Sequence, residues 1–379
     1  PLGHTTQMEY DANGNLVKTT TPGGAVTAFE FDSRNQNTKT TDALGFATQY
    51  EYDTLGRPVT ITYADGTSVS YTYDANGQIL TATDQLGGVT AYAYDANGQV
   101  VSQTDPMNGV TAYTYDKVGN TLSVTTPMGF ATTYTYNANN QVETTTDAEG
   151  HTTTVTYDAL GRTATSTDPM GGVTSYTYDS AGNLTSVTDA EGHTTRYEYD
   201  LLGQQTKTTD ARGNSASTVY DNEGNVIGTS DALGYTTSKS YDALGQLVSE
   251  TDANGNVWTY TYNADGQMTS MKDPLGNVTT YEYDALGQLT KETTPMGRAT
   301  SHTYDALGRE TTSTDPMGHV ITFYYDALGR LIGQDNKDGT HVSWTYDANG
   351  NNLTVVDEEG YTVSYTYDAD GRMTSMTNA

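Results

Sequence analysis

The stretch Val89-Thr90-Ala91-Tyr92-Ala93-Tyr94-Asp95-Ala96-Asn97-Gly98 decides the fold. Tyr92 and Tyr94 stand two residues apart, so on a strand both side chains leave the same face. Asp95 to Gly98 then places Asp at the first and Gly at the fourth position of a type I turn. The unit returns every 21 residues from Tyr10 to Tyr367 without insertion or deletion, and eighteen copies account for 378 of the 379 residues. A chain of this length would otherwise divide into two or three globular domains. The strict period makes residues 1–379 a single repeat array.

Numbering positions by the first repeat exposes the backbone geometry. Position 10 is aromatic in all 18 copies, with Phe31 the one residue that is not Tyr. Position 11 is Asp except at Asn137 and Asn263, as in Asp11 and Asp53. Position 14 is Gly, as in Gly14 and Gly56, except at Asn35 and Asn140; position 3 is Gly, as in Gly45, except at Asn108. Every exception to Gly is Asn, the side chain next most tolerant of positive φ, so both columns read as left-handed turn positions. A second turn per repeat, such as Asp168-Pro169-Met170-Gly171, adds Pro where its fixed φ fits. A type I turn followed by a left-handed Gly is a three-residue hairpin loop with a bulge. The leading carboxylate accepts a backbone N–H two residues on, a role Asn also fills. Of 33 aspartates, 28 begin one of these turns. The net charge of −30 is therefore mostly a product of repeated turn chemistry.

Between the turns lie segments rich in Thr, Val, Tyr and Ser. β-Branched residues and a Gly about every tenth position exclude helix. Position 8 is often aromatic too, giving pairs such as Tyr281 and Tyr283, and it holds Trp344. The face carrying these residues and Tyr10 is expected to be the packed one, with positions 5, 7 and 9 facing water or a less apolar interior. The expected fold is all-β: tandem hairpins in one continuous antiparallel ribbon, curled into a spiral shell or superhelical tube. The competing β-solenoid would stack aspartates at about 4.8 Å, a like-charge ladder that costs energy. Thirty-six strands make a ribbon on the order of 170 Å long, or a ring roughly 55 Å across if closed once.

Composition restricts the partners. Only 34% of residues are apolar and 17% charged. The negative surface repels nucleic acid and anionic membrane, and no run of 18 apolar residues suggests insertion. Cysteine is absent, so no disulfide contributes. The opening Pro1-Leu2-Gly3 lies inside a repeat, without a signal peptide, and is read as part of an excerpt from a larger protein.

No catalytic residue and no cofactor is expected, because catalysis needs one site with unequal pKa values and near-identical copies offer none. His4, His151, His193 and His319 share position 4 in scattered repeats, while His302 and His341 stand elsewhere, and no metal-ligand spacing follows. Asp368, Asp370 and Asp338 are weak calcium candidates, since carboxylates cluster in tight turns but lack the EF-hand pattern. Trp258 and Trp344 read as packing residues. The off-column tyrosines Tyr63, Tyr235, Tyr324 and Tyr361 are the places to look for a binding surface.

The run Tyr283-Asp284-Ala285-Leu286-Gly287-Gln288-Leu289 and its equivalent from Tyr325 to Leu331 precede a second turn and a further Tyr-x-Tyr-Asp. This pattern resembles the YD repeats of Rhs proteins, wall-associated toxins and teneurins across the whole chain. The resemblance implies long β-hairpins wound as a spiral shell, enclosing a toxin in bacterial members and forming an extracellular scaffold in teneurins. The implied role is a structural segment of a secreted or surface toxin-like protein; an extracellular fibre or adhesin, or a module binding carbohydrate or protein through exposed aromatics, are the alternatives. Expected partners are neighbouring repeats of the parent, an enclosed toxin cargo, further copies, or a cell-surface glycan or protein. Two departures stand out: the register never slips, and no core-associated, plug or toxin segment appears. Asp168, Asp273 and Asp315 each begin an Asp-Pro-x-Gly string like a self-cleavage motif of the family, but in the ordinary turn column.

Overall fold

The structure, a computed structural model, describes residues 4–378. It contains 36 strands, from β1 (Gln7–Tyr10) and β2 (Leu16–Thr20) to β36 (Met373–Asn378), all in one sheet. Each strand pairs antiparallel with the next in sequence, as Tyr113 with Val124 and Val124 with Thr132. The ribbon expected from the sequence is therefore the fold.

Both turn types are the expected hairpin loop. In the first turn of a repeat, the Asp95 amide donates to the Gln99 carbonyl at 2.9 Å and the Gly98 amide to the Asp95 carbonyl at 3.1 Å. The second turn repeats this at Asp168–Gly172 and Asp168–Gly171. Every described glycine of the two columns has positive φ, and the three non-glycine residues with positive φ are Asn35, Asn108 and Asn140. Gly3, in the same column, lies outside the described residues. The leading carboxylate also does more than expected. Asp168 Oδ1 accepts from the amides of both Met170 (2.8 Å) and Gly172 (2.9 Å). Asn137 and Asn263 accept the same two bonds with their amide oxygens.

An odd repeat creates a parity problem that the sequence reading missed. Eight residues of one strand, from position 4 to 11, face seven of the other, from position 15 to 21. Without correction, the aromatic columns would switch faces in alternate repeats, because side chains alternate with a period of two. A second β-bulge, beside the first turn, absorbs the extra residue: Tyr115 pairs with Thr121 but Thr114 with Ser123, leaving Leu122 unpaired. The same shift recurs in each such hairpin, as at Tyr178 and Leu184. Position 8 then faces position 19, which faces position 6 of the next repeat, an even offset of two residues. That offset is about 6.7 Å across two strands roughly 9.6 Å apart, so the strands slant about 35° from the normal to the rim, near the tilt of closed barrels.

The slanted ribbon winds into a spiral. Gly23 meets Asp265, and Thr126 meets Asp370, at separations of 242 and 244 residues. One coil therefore takes about 11.6 repeats, or about 23 strands, and the chain makes roughly one and a half coils. With a rim step of about 12 Å per repeat, the coil is roughly 40 Å across between backbones, tighter than a single ring of all 36 strands. Barrels of 16 to 18 strands already leave an aqueous channel, so the coil is hollow. Two observations agree with this. The accessible surface is 21,935 Å², against about 14,600 Å² for a compact chain of 40.7 kDa. No side chain among the described residues is fully buried.

The aromatic face is still the better covered one. In Val173–Tyr178, Tyr176 and Tyr178 are half-buried while Thr177 is exposed. Tyrosine supplies apolar area and needs a partner for its hydroxyl. At most copies of position 10 that partner is the carbonyl fifteen residues earlier: Tyr94 donates to Ile79 at 2.8 Å, and Tyr283 to Met268 at 2.9 Å. The other face carries cross-strand polar pairs. Thr156 and Thr165 hydroxyls lie 2.6 Å apart, and Lys39 and Lys291 meet Glu30 and Glu282.

Candidate functional site

All first turns lie along one rim of the ribbon and all second turns along the other. Successive coils meet where a first turn of the later coil rests on a second turn of the earlier one. The burial of turn residues maps this seam. Leu44, Leu86, Met107 and Met128, third residues of second turns on the early coil, are 43 to 53% exposed, whereas Met170, Leu233, Leu275, Met296 and Met317 on the uncovered rim are 80 to 96% exposed. Across the seam, Leu286 and Leu307 are 40 and 37% exposed, against 73 to 75% for Leu55, Leu160 and Leu202 at the same position elsewhere. Each covered leucine or methionine thus contributes roughly 1 to 2 kcal/mol.

Polar contacts fix the seam. Asp265 Oδ1 accepts from the Gly23 amide at 2.7 Å. Asp370 accepts from the Met128 amide at 2.9 Å and from the Thr126 hydroxyl at 2.8 Å. Asn349 donates to Asp105 at 2.9 Å, Arg309 lies 3.8 Å from Asp65, and the Arg372 guanidinium stacks 4.5 Å over Phe130. A cleft of about 440 Å³ opens at the Asp105–Asn349 junction, lined by Met107, Leu353 and Tyr365.

Along the first rim, neighbouring turns are stitched by the residue after the turn glycine. Gln78 donates to the Gly98 carbonyl at 2.9 Å. Arg162 pairs with Asp158, donates to the Asp179 carbonyl at 3.1 Å and stacks 4.5 Å over Tyr178. Hydrogen bonds to the leading carboxylate hold several of the turn aspartates, among them Asp53, Asp158 and Asp315, below their ordinary range. For Asp53 the main cause is the Arg57 backbone amide; for Asp315 the His319 side chain leads and lowers the value to about 2. Among the described residues, each carboxylate that departs from its ordinary range is lowered. Tyrosines such as Tyr262 and Tyr281 are raised, chiefly by burial.

The remaining candidates are scattered. Asp370, one calcium candidate, is engaged in the seam, while Asp368 accepts from the amides of Asp370 and Arg372 and Asp338 from Thr340. The histidine reading needs correction. Asp147, Glu149 and His151 bring three potential ligand atoms within 4.8 Å, and Asp189, Glu191 and His193 do the same. The signal was the string Asp-Ala-Glu-Gly-His, which folds first, third and fifth residues of the turn over one point. Both clusters lie on the uncovered rim, with Asp189 half-buried and the other five residues exposed.

Of the off-column tyrosines, Tyr235 and Tyr361 are well exposed at 58 and 64%, and Tyr63 is half-buried. Tyr324 belongs to a group found once: its hydroxyl donates to Asp335 at 2.6 Å, and His341 Nδ1 lies 2.6 Å from the other carboxylate oxygen. Gly333 lies beneath them; a Cβ there would stand 3.1 Å from the His341 ring and 3.3 Å from that of Tyr324. Trp344 faces Val355 across the aromatic face.

Comparison with known proteins follows the same architecture. Solved structures of TcdB2-TccC3 align with 99% of this chain at 16 to 17% identity and TM-scores of 0.79 to 0.80, among them the complex with Cdc42 and the form without the hypervariable C-terminal region. A Photorhabdus luminescens Tc holotoxin pore aligns with a TM-score of 0.76 at 16% identity. The chain spans about a quarter of the length of those chains, 24 to 25%. No curated protein matches it significantly. The RHS Repeat family profile matches in overlapping stretches from residues 1–27 to 346–379, leaving out only 69–72, 153–156 and 216–219. With that repeat over nearly its whole length and the matching spiral fold, the chain belongs to the RHS repeat family.

Proposed function

We propose that this chain is a length of wall in a cargo-enclosing β-shell, a non-catalytic scaffold within a larger secreted or cell-surface protein. The observation that carries this reading is the hollow coil whose successive rims seal against each other. A single sheet with no side-chain core has no stability reason to curl around empty space, and the wide lumen is the feature that distinguishes it from a packed barrel. The likeness to TcdB2-TccC3 supports the reading at the level of fold. A scaffold role also agrees with the carboxylates: among the described residues the shifted ones are all lowered, most by turn hydrogen bonds and Asp335 by Tyr324 and His341, and none is raised as a catalytic acid would be. Within such a protein the expected partners are neighbouring wall segments and the enclosed cargo.

Imaging the full parent protein by electron cryomicroscopy tests this. Closed particles with density inside the wall are expected. Long uniform filaments with an open bore would reject the shell in favour of a surface fibre, which the unbroken 21-residue register also permits.

A further inference from the structure

Three second turns begin with Thr in place of Asp: Thr21, Thr126 and Thr294. The substitution changes what the turn can satisfy. In an Asp turn, the carboxylate takes the amide of the third residue, as Asp42 takes Leu44 at 3.0 Å. The Thr hydroxyl instead takes only the fifth amide, as in Thr21 with Ala25 and Thr294 with Arg298. The third amide is left open. On the facing rim, the third residue of a first turn is Asp in only two repeats, Asp265 and Asp370. These two carboxylates bond the open amides of Gly23 and Met128. The Asp turns meet something neutral, as Asp105 meets Asn349. The same spacing of 244 residues sets Leu286 opposite Asp42 and Leu328 opposite Asp84.

We propose that the register between coils is set by this exchange of carboxylates: the first residue of an early second turn and the third residue of the later first turn facing it are never both acidic, and where the early turn begins with Thr the later one supplies the carboxylate. At the remaining junction, Tyr63 faces Leu307, and Arg309 lies 3.8 Å from Asp65. A slip by one repeat would set Asp265 or Asp370 against an Asp turn, placing two carboxylates in one junction and leaving a third amide open. The proposal goes beyond the shell reading and holds whether or not a cargo is enclosed. Thr294-Pro295-Met296-Gly297 is the internal control, because it has the same open amide and lies on the uncovered rim.

The test is a charge swap in the whole chain, read by small-angle X-ray scattering and amide hydrogen exchange. Thr21→Asp with Thr126→Asp is expected to open the seam, raising the radius of gyration and the exchange of seam turn amides about tenfold or more. Adding Asp265→Asn and Asp370→Asn should restore the compact form, and so should 1 M salt, where the screening length falls to about 3 Å. Thr294→Asp should change neither readout. In the parent sequence, Asp370→Ala should bring the exchange of the Met128 amide to that of Met296. A double Asp variant that stays compact at low salt would overturn the proposal. So would a fourfold variant as open as the double one, or a Met128 amide already exchanging like that of Met296.

Discussion

Replacing Asp305 separates turn chemistry from charge. Its carboxylate is about one-fifth exposed and accepts from the Leu307 amide at 2.9 Å and the Arg309 amide at 3.0 Å through Oδ1, while Oδ2 holds Arg309 Nε at 2.6 Å. Asp305→Ala loses all three. Two backbone bonds at about 1 kcal/mol each and a partly screened ion pair of about 0.5 kcal/mol give a cost of roughly 2.5 kcal/mol. Asp305→Asn keeps an oxygen where Oδ1 stood, as Asn137 does in its own repeat. It should therefore cost only about 0.5 to 1 kcal/mol. Arg309 would retain the Asp326 carbonyl at 2.9 Å and its place over Tyr325. An array does not unfold in one step, so the assay is native-state hydrogen exchange at the Leu307 and Arg309 amides. Both should gain exchange in the Ala variant and stay nearly unchanged in the Asn variant. Equal losses in the two variants would refute the turn reading and show that the negative charge itself is what matters.

Lowering the pH should weaken the array through the same groups. The carboxylates of Asp53, Asp158, Asp305 and Asp315 sit below the ordinary value when folded, so the stability they contribute is complete above about pH 4 and is lost as pH falls through the folded values toward about 2, the value for Asp315; thermal melts across that window check it, and a melting point flat down to pH 2 would contradict it. Gly171 has a φ of 87°, so Gly171→Ala should cost about 1 to 2 kcal/mol and Gly171→Asn distinctly less, as Asn108 at 68° already shows, with the pair compared by local exchange. Tyr262→Phe removes the 2.8 Å bond to the Leu247 carbonyl and should cost about 1 kcal/mol, with exchange rising in that hairpin before others.

The sequence carried the local structure because local rules decide it. Asn35, Asn108 and Asn140 in place of Gly reported positive φ, and Asn137 and Asn263 in place of Asp reported a hydrogen-bond acceptor; both readings match the backbone. The bulge at Leu122 was hidden because position 17 bears ordinary strand residues, and only the parity of eight residues against seven reveals it. The coil radius was hidden for a related reason, since slant and curvature accumulate from that bulge over many strands. The seam partners were hidden because 244 residues separate them, although Thr21, Thr126, Asp265 and Asp370 were visible as exceptions in their columns. The histidine clusters were missed because turn positions one, three and five converge only once the loop is folded.

The one-and-a-half-coil geometry makes stability uneven along a chain whose repeats are nearly identical. Repeat arrays are usually one-dimensional, each unit touching its sequence neighbours. Here the early second turns, up to Thr126, and the late first turns, from Asn263, gain partners in a second dimension. The stretch from about residue 147 to 241 has neither rim covered, as Met170 at 96% exposure and Leu233 at 81% record. Its strands have the same pairing as those elsewhere, so intrinsic repeat stability does not distinguish it. What it lacks is the seam, with its apolar turn residues and its carboxylate-to-amide bonds. Local opening follows the number of such contacts. Hydrogen exchange should therefore be fastest, away from the two chain ends, in the turns between residues 147 and 241. The strict periodicity predicts the opposite outcome if the seam adds nothing, namely protection that depends only on distance from an end. A chain extended until every rim is covered should lose the weak zone, which ties the firmness of the wall to the number of coils it makes.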